Sequence, residues 1–408
     1  MTAVSSGKRP FVCPELALDA SRCHSGDMFD YQRNGNVFAK CAGGLEELLA
    51  RELSALGAQC IEPLYLGVSY QTDPRTLYRT VLESRLASHV LAPLVTFECQ
   101  SEHDLYNCTK QLDWSVVLDC ERTFAIQSHV SDSRITHGQY AAQKMKDAIA
   151  DWFVDKEGRR PSVDRENPDV WFDLNIRRNN ATISIDASGG AMHRRGYRKE
   201  SVAAPMQETL AAAILTGARW HGERPLYDPM CGSGTVLAEG LLIAGNVPAG
   251  WRRCRKRAPT AALPDFDQAL WDRVKADAEA AQVEVPAGLV RGSDLDRDAV
   301  KATRTNLRRV PGGSETQLSR VDFRQLDGVQ DSLIVTNPPY GVRLEDRETA
   351  FAIYKDLGDW LKRGCTGSTA WVLCGEKELV GALGLRPKRK VPLRNGGIEC
   401  TLVELELY

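Results

Sequence analysis

Hydrophobic positions change their spacing along this chain, and the changes mark its parts. Residues 1–35 carry no sustained period and few aliphatic side chains, so they read as an extension. Residues 36–40 read as a short strand. Leu45, Leu48, Leu49, Leu53 and Leu56 then recur at helical spacing among Glu46, Glu47, Arg51 and Glu52, predicting an amphipathic helix ended by Gly57. A second helix is predicted from about Pro74 to Ser88, and together these predict a small α+β domain over 36–100. Residues 123–127 read as a strand, and Tyr140, Met145, Ile149, Trp152 and Phe153 give one helix face. Alternating segments at 169–176 and 181–186 predict two strands joined near Asn179-Asn180, in a second small domain over 101–190.

After Gly189-Gly190 and a basic run through Lys199, the pattern becomes strand, loop, helix, repeated. Strands are predicted at 226–228, 289–293, 332–336 and 368–374, with helices at 235–244, 297–309 and 351–362. Such alternation implies a mostly parallel, doubly wound α/β sheet in a third domain over 191–408. Asn395-Gly396 between residues 390–394 and 398–407 predicts a closing antiparallel hairpin.

Composition narrows the class. The 408 residues hold 52 Lys and Arg against 54 Asp and Glu, a net charge of −2. That excludes a protein that coats nucleic acid through global positive charge. The balance is −6 over residues 1–190 and +4 over the remainder. No apolar run approaches the roughly 20 residues a membrane helix needs, and the start shows no apolar signal segment. The expectation is therefore a cytoplasmic protein with no membrane partner. The 12 cysteines form no CxxC pair, and neither Cys23-His24 nor any other group has metal-ligand spacing, so reduced thiols and no metal are expected.

Three segments carry candidate chemistry. Asp228-Pro229-Met230-Cys231-Gly232-Ser233-Gly234-Thr235 lies where a strand passes into a helix. Gly232 and Gly234 permit a tight turn and a close approach to a ligand, but neither a phosphate loop nor a complete dinucleotide motif is present. An acid beside such a loop suits a ligand bearing an ammonium group. Asp294 ends the next strand and can accept from ribose hydroxyls, while Asp296 suits a helix cap. Asp327, before the fourth strand, is a candidate acceptor for an adenine amino group. Thr336-Asn337-Pro338-Pro339-Tyr340-Gly341 follows a buried strand. The Asn337 side-chain oxygen and the Pro338 carbonyl can both accept from one exocyclic –NH₂, and Tyr340 can stack on the ring that bears it.

Together these residues resemble the class I S-adenosylmethionine-dependent amino-methyltransferases. The resemblance implies S-adenosylmethionine as cofactor, held by Asp228, Met230, Cys231, Gly232, Ser233 and Gly234, by Asp294 with Leu295, and by Asp327. It implies Asn337, Pro338 and Tyr340 as the catalytic NPPY group. Residues 38–49 look like the ferredoxin-like domain that precedes a THUMP domain. Lys146-Asp147-Ala148-Ile149, Gly158-Arg159-Arg160-Pro161 and His193-Arg194-Arg195-Gly196-Tyr197-Arg198 look like THUMP and its exit. Glu208-Thr209-Leu210-Ala211, Gly341-Val342-Arg343-Leu344 and Arg394 to Cys400 continue the likeness, with Val342 standing where Glu is frequent. The layout is similar to the stand-alone bacterial 23S rRNA guanine-N2 methyltransferases. The tRNA guanine-N2 enzymes share it, and a non-catalytic ribosome-assembly factor on the same fold is the alternative from another class. The implied partner is RNA: 23S rRNA or the assembling large subunit, or tRNA. Candidate phosphate contacts are Lys144, Lys146, Arg194, Arg195, the cluster Arg252, Arg253, Arg255, Lys256 and Arg257, and the pair Lys388 and Arg389.

Overall fold

The computed structural model describes residues 28–202, 205–340 and 347–408. The segment Gly341 to Leu344 and most of the expected N-terminal extension lie outside them. The chain divides into two units: one holds residues 94–168 and 172–184, the other 30–93, 169–171 and 185–408.

The second unit opens with α1 (Asp30–Asn34), β1 (Asn36–Lys40), α2 (Glu46–Leu56), β2 (Gln59–Leu64), β3 (Gly67–Gln71), α3 (Pro74–Glu83) and the start of β4 (His89–Glu98). Its strands lie antiparallel in the order β2-β3-β1-β4. α2 buries Leu49, Leu53 and Leu56, and Gly57 ends it in the left-handed region at φ 105°. Asp73 caps α3 by accepting from the Thr76 N–H, with Pro74 in the first turn. α3 stops at Glu83, short of the expected Ser88. The Glu52 carboxylate accepts from the Ser84 hydroxyl (2.6 Å), and from the Arg85 (2.8 Å) and Leu86 (3.3 Å) N–H groups, which diverts those two N–H groups from helix bonding.

The other unit contains α4 (Glu102–Gln111), β5 (Phe124–Ser131), α5 (Gly138–Glu157) and most of β6 (Val170–Arg177) and β7 (Asn180–Asp186), with strand order β7-β6-β5. The hairpin turn falls on Arg178 (φ 49°) and Asn179 (φ 60°), one residue earlier than the sequence suggested. Met145, Ile149 and Phe153 are buried on α5, but Tyr140 stands 45% exposed, with the Lys144 ammonium 5.4 Å from its ring centre.

The remainder of the larger unit runs α6 (Glu208–Gly217), β8 (Leu226–Asp228), α7 (Thr235–Ala244), α8 (Gln268–Ala280), β9 (Val290–Asp294), α9 (Arg297–Leu307), β10 (Gln317–Arg320), β11 (Leu333–Thr336), α10 (Arg347–Gly364), β12 (Thr369–Cys374), α11 (Lys377–Ala382), β13 (Arg389–Asn395) and β14 (Ile398–Glu406). The strand order is β10-β9-β8-β11-β12-β14-β13. The first five are mutually parallel, and β14 lies antiparallel to both neighbours. This is the expected class I methyltransferase sheet with its terminal hairpin, whose two-residue turn is Gly396-Gly397. Leu333, Ile334, Val335, Ala370, Val372 and Leu373 are completely buried, as strands covered on both faces require. Strand order reverses between β8 and β11, so the carboxyl ends of β8, β9 and β11 form the crevice where such sheets bind ligands.

Candidate active site

The loop after β8 is held from several sides. Gly232 (φ 54°) and Gly234 (φ 80°) are left-handed, and a Cβ on Gly234 would lie 2.8 Å from the Thr303 methyl group. The Cys231 N–H donates to the Ser293 carbonyl (2.9 Å), and the Gly232 N–H donates to Asp294 Oδ2 (2.9 Å). From α9, the Thr303 hydroxyl donates to the Gly232 carbonyl (2.7 Å) and Asn306 Nδ2 to the Ser233 carbonyl (2.9 Å). Thr303 and Asn306 were not legible as site residues, because only the fold brings α9 beneath this loop.

Asp228 ends β8 at 2% exposure, and its Oδ1 accepts from the Met230 N–H (3.1 Å). Burial pushes its carboxyl up to about 7, and no cationic side chain pairs with it among the described residues. Asp294 accepts from the Gly232 and Asp296 N–H groups, one on each oxygen, which leaves a lone pair on each for a further donor. Burial raises this carboxyl as well. Asp296 caps α9 through the Asp298 N–H, as expected. Leu295 is 57% exposed at the same rim.

Asp327 does not join this group. Its carbonyl packs so closely on Gly364, at the end of α10, that a Cβ there would overlap it. That contact puts Asp327 at the amino end of β11, across the sheet from the crevice. The acid at the crevice is Asp322, directly after β10, where the Val321 N–H reaches the Asp294 carbonyl (3.1 Å). Asp322 caps the following turn through the Arg324 N–H (3.0 Å), and the Arg324 guanidinium holds its carboxyl below the usual range. β10 is an edge strand with no buried residue, so hydrophobic patterning could not reveal the strand or the acid after it.

Asn337 and Pro338 follow β11 at the same end of the sheet. The Tyr340 hydroxyl donates a short hydrogen bond to Asn337 Oδ1, and Asn395 Nδ2 donates to that hydroxyl (3.3 Å). The Tyr340 ring is 8% exposed and lies over Gly375, where a Cβ would come within 2.5 Å of it. The expected base-stacking face is therefore not presented, because the ring fills the space that Gly375 leaves and braces Asn337. The sequence marks Asn395 only as part of a turn signal, yet its buried side chain closes this chain of hydrogen bonds.

The expected phosphate contacts separate by burial. Arg195 is 1% exposed; it donates to the Met192 and Arg85 carbonyls and lies 3.6 Å from Glu239. Arg253 donates to the Ser188 and Val81 carbonyls. Arg195 is sealed from solvent and structural rather than phosphate-facing, while Arg253 is half-buried with two of its donors committed to backbone. Arg252 is half-buried, its alkyl chain beside Gly196. Lys146, Arg257 and Lys388 pair with Asp147, Asp169 and Glu406. Arg194, Arg255, Lys256 and Arg389 are exposed.

The RMKL-like methyltransferase-domain model matches residues 195–404, half of the chain. The chain belongs to the RMKL-like methyltransferase family. In this family member, a THUMP domain model also matches residues 99–186 and an RlmL ferredoxin-like domain model matches 36–91. A Synechocystis sp. protein with a provisional RNA methyltransferase name is 38% identical over 375 residues, 91% of this chain and 96% of that one. The ribosomal RNA large subunit methyltransferase K/L of Syntrophotalea carbinolica is 37% identical over 393 residues, 91% of this chain and 53% of that one. The chain thus spans about half of that second relative. A solved structure from Clostridium difficile 630, described as a possible methylase, matches with a TM-score of 0.79 at 26% identity, covering 92% of this chain and 98% of that one.

This RMKL-like enzyme is a methyltransferase that uses S-adenosylmethionine. The site fits that cofactor: Asp228 is a buried acid with no cationic partner among the described residues, suited to an ammonium group, and Asp294 keeps acceptor capacity for hydroxyls. No described helix is long and apolar enough to cross a membrane, and no described acidic, Cys or His cluster could hold a metal.

Proposed function

We propose that this enzyme methylates the exocyclic N2 of a guanine in 23S rRNA, acting in the cytoplasm. The observation that carries the reading is the Asn337 carboxamide, fixed by Tyr340 and Asn395 beside the strand that ends in Asp228. The THUMP match and the names of the two relatives support RNA as the substrate class. The domains are assigned as a ferredoxin-like domain over 36–100, THUMP over 101–190 and the methyltransferase over 191–408, after an extension expected over 1–35 whose last residues instead form α1 (Asp30–Asn34) on the larger unit, with Tyr31 buried.

S-adenosylmethionine supplies an electrophilic methyl group. Asp228 takes its ammonium group, the backbone from Met230 to Gly234 lies along it, and Asp294 accepts from its ribose. Asp322 is the acid on the adenine side. The Asn337 oxygen and the Pro338 carbonyl accept from the two N2 hydrogens, which turns the nitrogen lone pair toward the donor. Tyr340 holds Asn337 in that orientation. Once it has taken the methyl group that the bound cofactor would supply, N2 would release one proton to water. A guanine inside a duplex cannot reach this crevice, so the base is extruded first.

Mass mapping of nucleosides from rRNA and tRNA of a deletion strain tests the substrate. N2-methylguanosine should vanish from one 23S position; loss from tRNA alone would replace the rRNA assignment. N337A should lower turnover by about 10²–10³ with cofactor affinity nearly kept. Full activity in N337A would remove the catalytic assignment.

A further inference from the structure

A second cavity, of about 150 Å³, lies in the larger unit away from the crevice. Its floor is one face of the sheet. Leu402 stands opposite both Val391 and Leu373 in the ladder, and Glu404 stands opposite both Arg389 and Trp371, so alternation puts Trp371, Arg389, Val391 and Leu402 on one side. The walls come from α2 and from the end of α6. Its volume is below the roughly 300 Å³ at which pockets begin to enclose whole organic ligands. It suits a smaller group.

The charge of the lining is one-sided. Arg51, Arg219 and Arg389 face one carboxylate, Glu47, which leaves a net +2. All three arginines are exposed, and none has a carboxylate partner among the described residues. Glu404, which stands opposite Arg389 in the ladder, points to Lys388 instead, 3.9 Å away. Most surface arginines elsewhere on the sheet hairpin and on α10 are paired, as with Arg394 and Glu399 or Arg347 and Glu376. Guanidinium groups left unpaired around a small cavity match the fork geometry that phosphate oxygens require.

We propose that this cavity binds a backbone phosphate of the RNA substrate, anchoring the RNA at a point distinct from the methyl-transfer crevice. The inference rests on the RNA reading above. Its chemistry is anion capture by Arg51, Arg219 and Arg389 at the rim of an apolar floor. The contact carries affinity rather than sequence choice, since phosphate oxygens are the same at every nucleotide.

The test uses the full chain and a 23S rRNA fragment. R51Q, R219Q and R389Q should each weaken RNA binding several-fold at 0.1 M KCl. The triple variant should lower the slope of log K against log[salt] by about 0.7–0.9 for the phosphate released. Its turnover at saturating RNA and its affinity for S-adenosylmethionine should match wild type, which also shows that it is folded. E47Q, which raises the lining to +3, should tighten RNA binding at low salt. R273Q, an exposed change on α8, should leave both affinity and slope alone. A triple variant with wild-type affinity and slope overturns the proposal. So does saturable binding of inorganic phosphate that the triple variant loses without change in the RNA slope, since the cavity would then serve a free anion. Wild-type protein that binds no RNA would bring down the substrate reading and this one together.

Discussion

D228N separates the stability of the site from its use. Burial raises the Asp228 carboxyl from 3.8 to about 7. Between those values the folded chain keeps a proton that the unfolded chain has released, so this group lowers stability as pH rises from about 4 to 7. About three pKa units at about 1.36 kcal/mol each set an upper bound of about 4 kcal/mol. An asparagine at 228 cannot ionise, and its oxygen can still accept from the Met230 N–H. D228N should therefore be more stable than wild type at pH 8, by about 1–4 kcal/mol, and nearly equal to it close to pH 4. Urea unfolding at the two pH values measures the difference. Calorimetric titration with S-adenosylmethionine should show the opposite consequence: a loss of about 10–100-fold in affinity, the worth of one charge-assisted hydrogen bond. Wild-type affinity should rise with pH toward about 7 and then level, with proton release on binding below that point. A stability gain equal at both pH values, or a loss at pH 8, would refute the reasoning.

Three further outcomes are expected. Y340F and N395A should each reduce single-turnover methylation by about 10–100-fold, because either change breaks the buried hydrogen-bond chain that holds Asn337; in the double variant the losses should not add, and full additivity in the cycle would mean they act separately. R195M removes the cation 3.6 Å from Glu239, which is 0% exposed and keeps the Tyr197 hydroxyl bond, and should cost up to about 3–5 kcal/mol in unfolding free energy, while R195M/E239L should recover most of it; a stable R195M that has lost RNA binding would restore Arg195 to the RNA surface. R255Q/K256Q should flatten the salt dependence of RNA binding with the unfolding midpoint unchanged, and an unchanged slope would remove this cluster from the interface.

The alternation of strands and helices after residue 191, the Asp228–Gly234 turn, Asp294 and Asn337–Tyr340 were all legible in the sequence. Their reasons are local: buried parallel strands need unbroken apolar runs, tight turns need glycine, and acceptors for an amine need an amide and a carbonyl close together. What depended on distant segments was not legible. β10 has no apolar face, so patterning revealed neither the strand nor that Asp322 follows it at the crevice end, while Asp327 lies at the other end of the sheet. Asn395 lies 55 residues from Tyr340, and only the antiparallel return of β13 and β14 brings it there. Basic residues show the same division. The chain specifies where positive charge is, but Arg195 is buried and Arg253 spends two donors on backbone carbonyls, while Arg51, Arg219 and Arg389 meet around one cavity. Residue type sets what a side chain can do, and tertiary packing sets which of its donors are already taken.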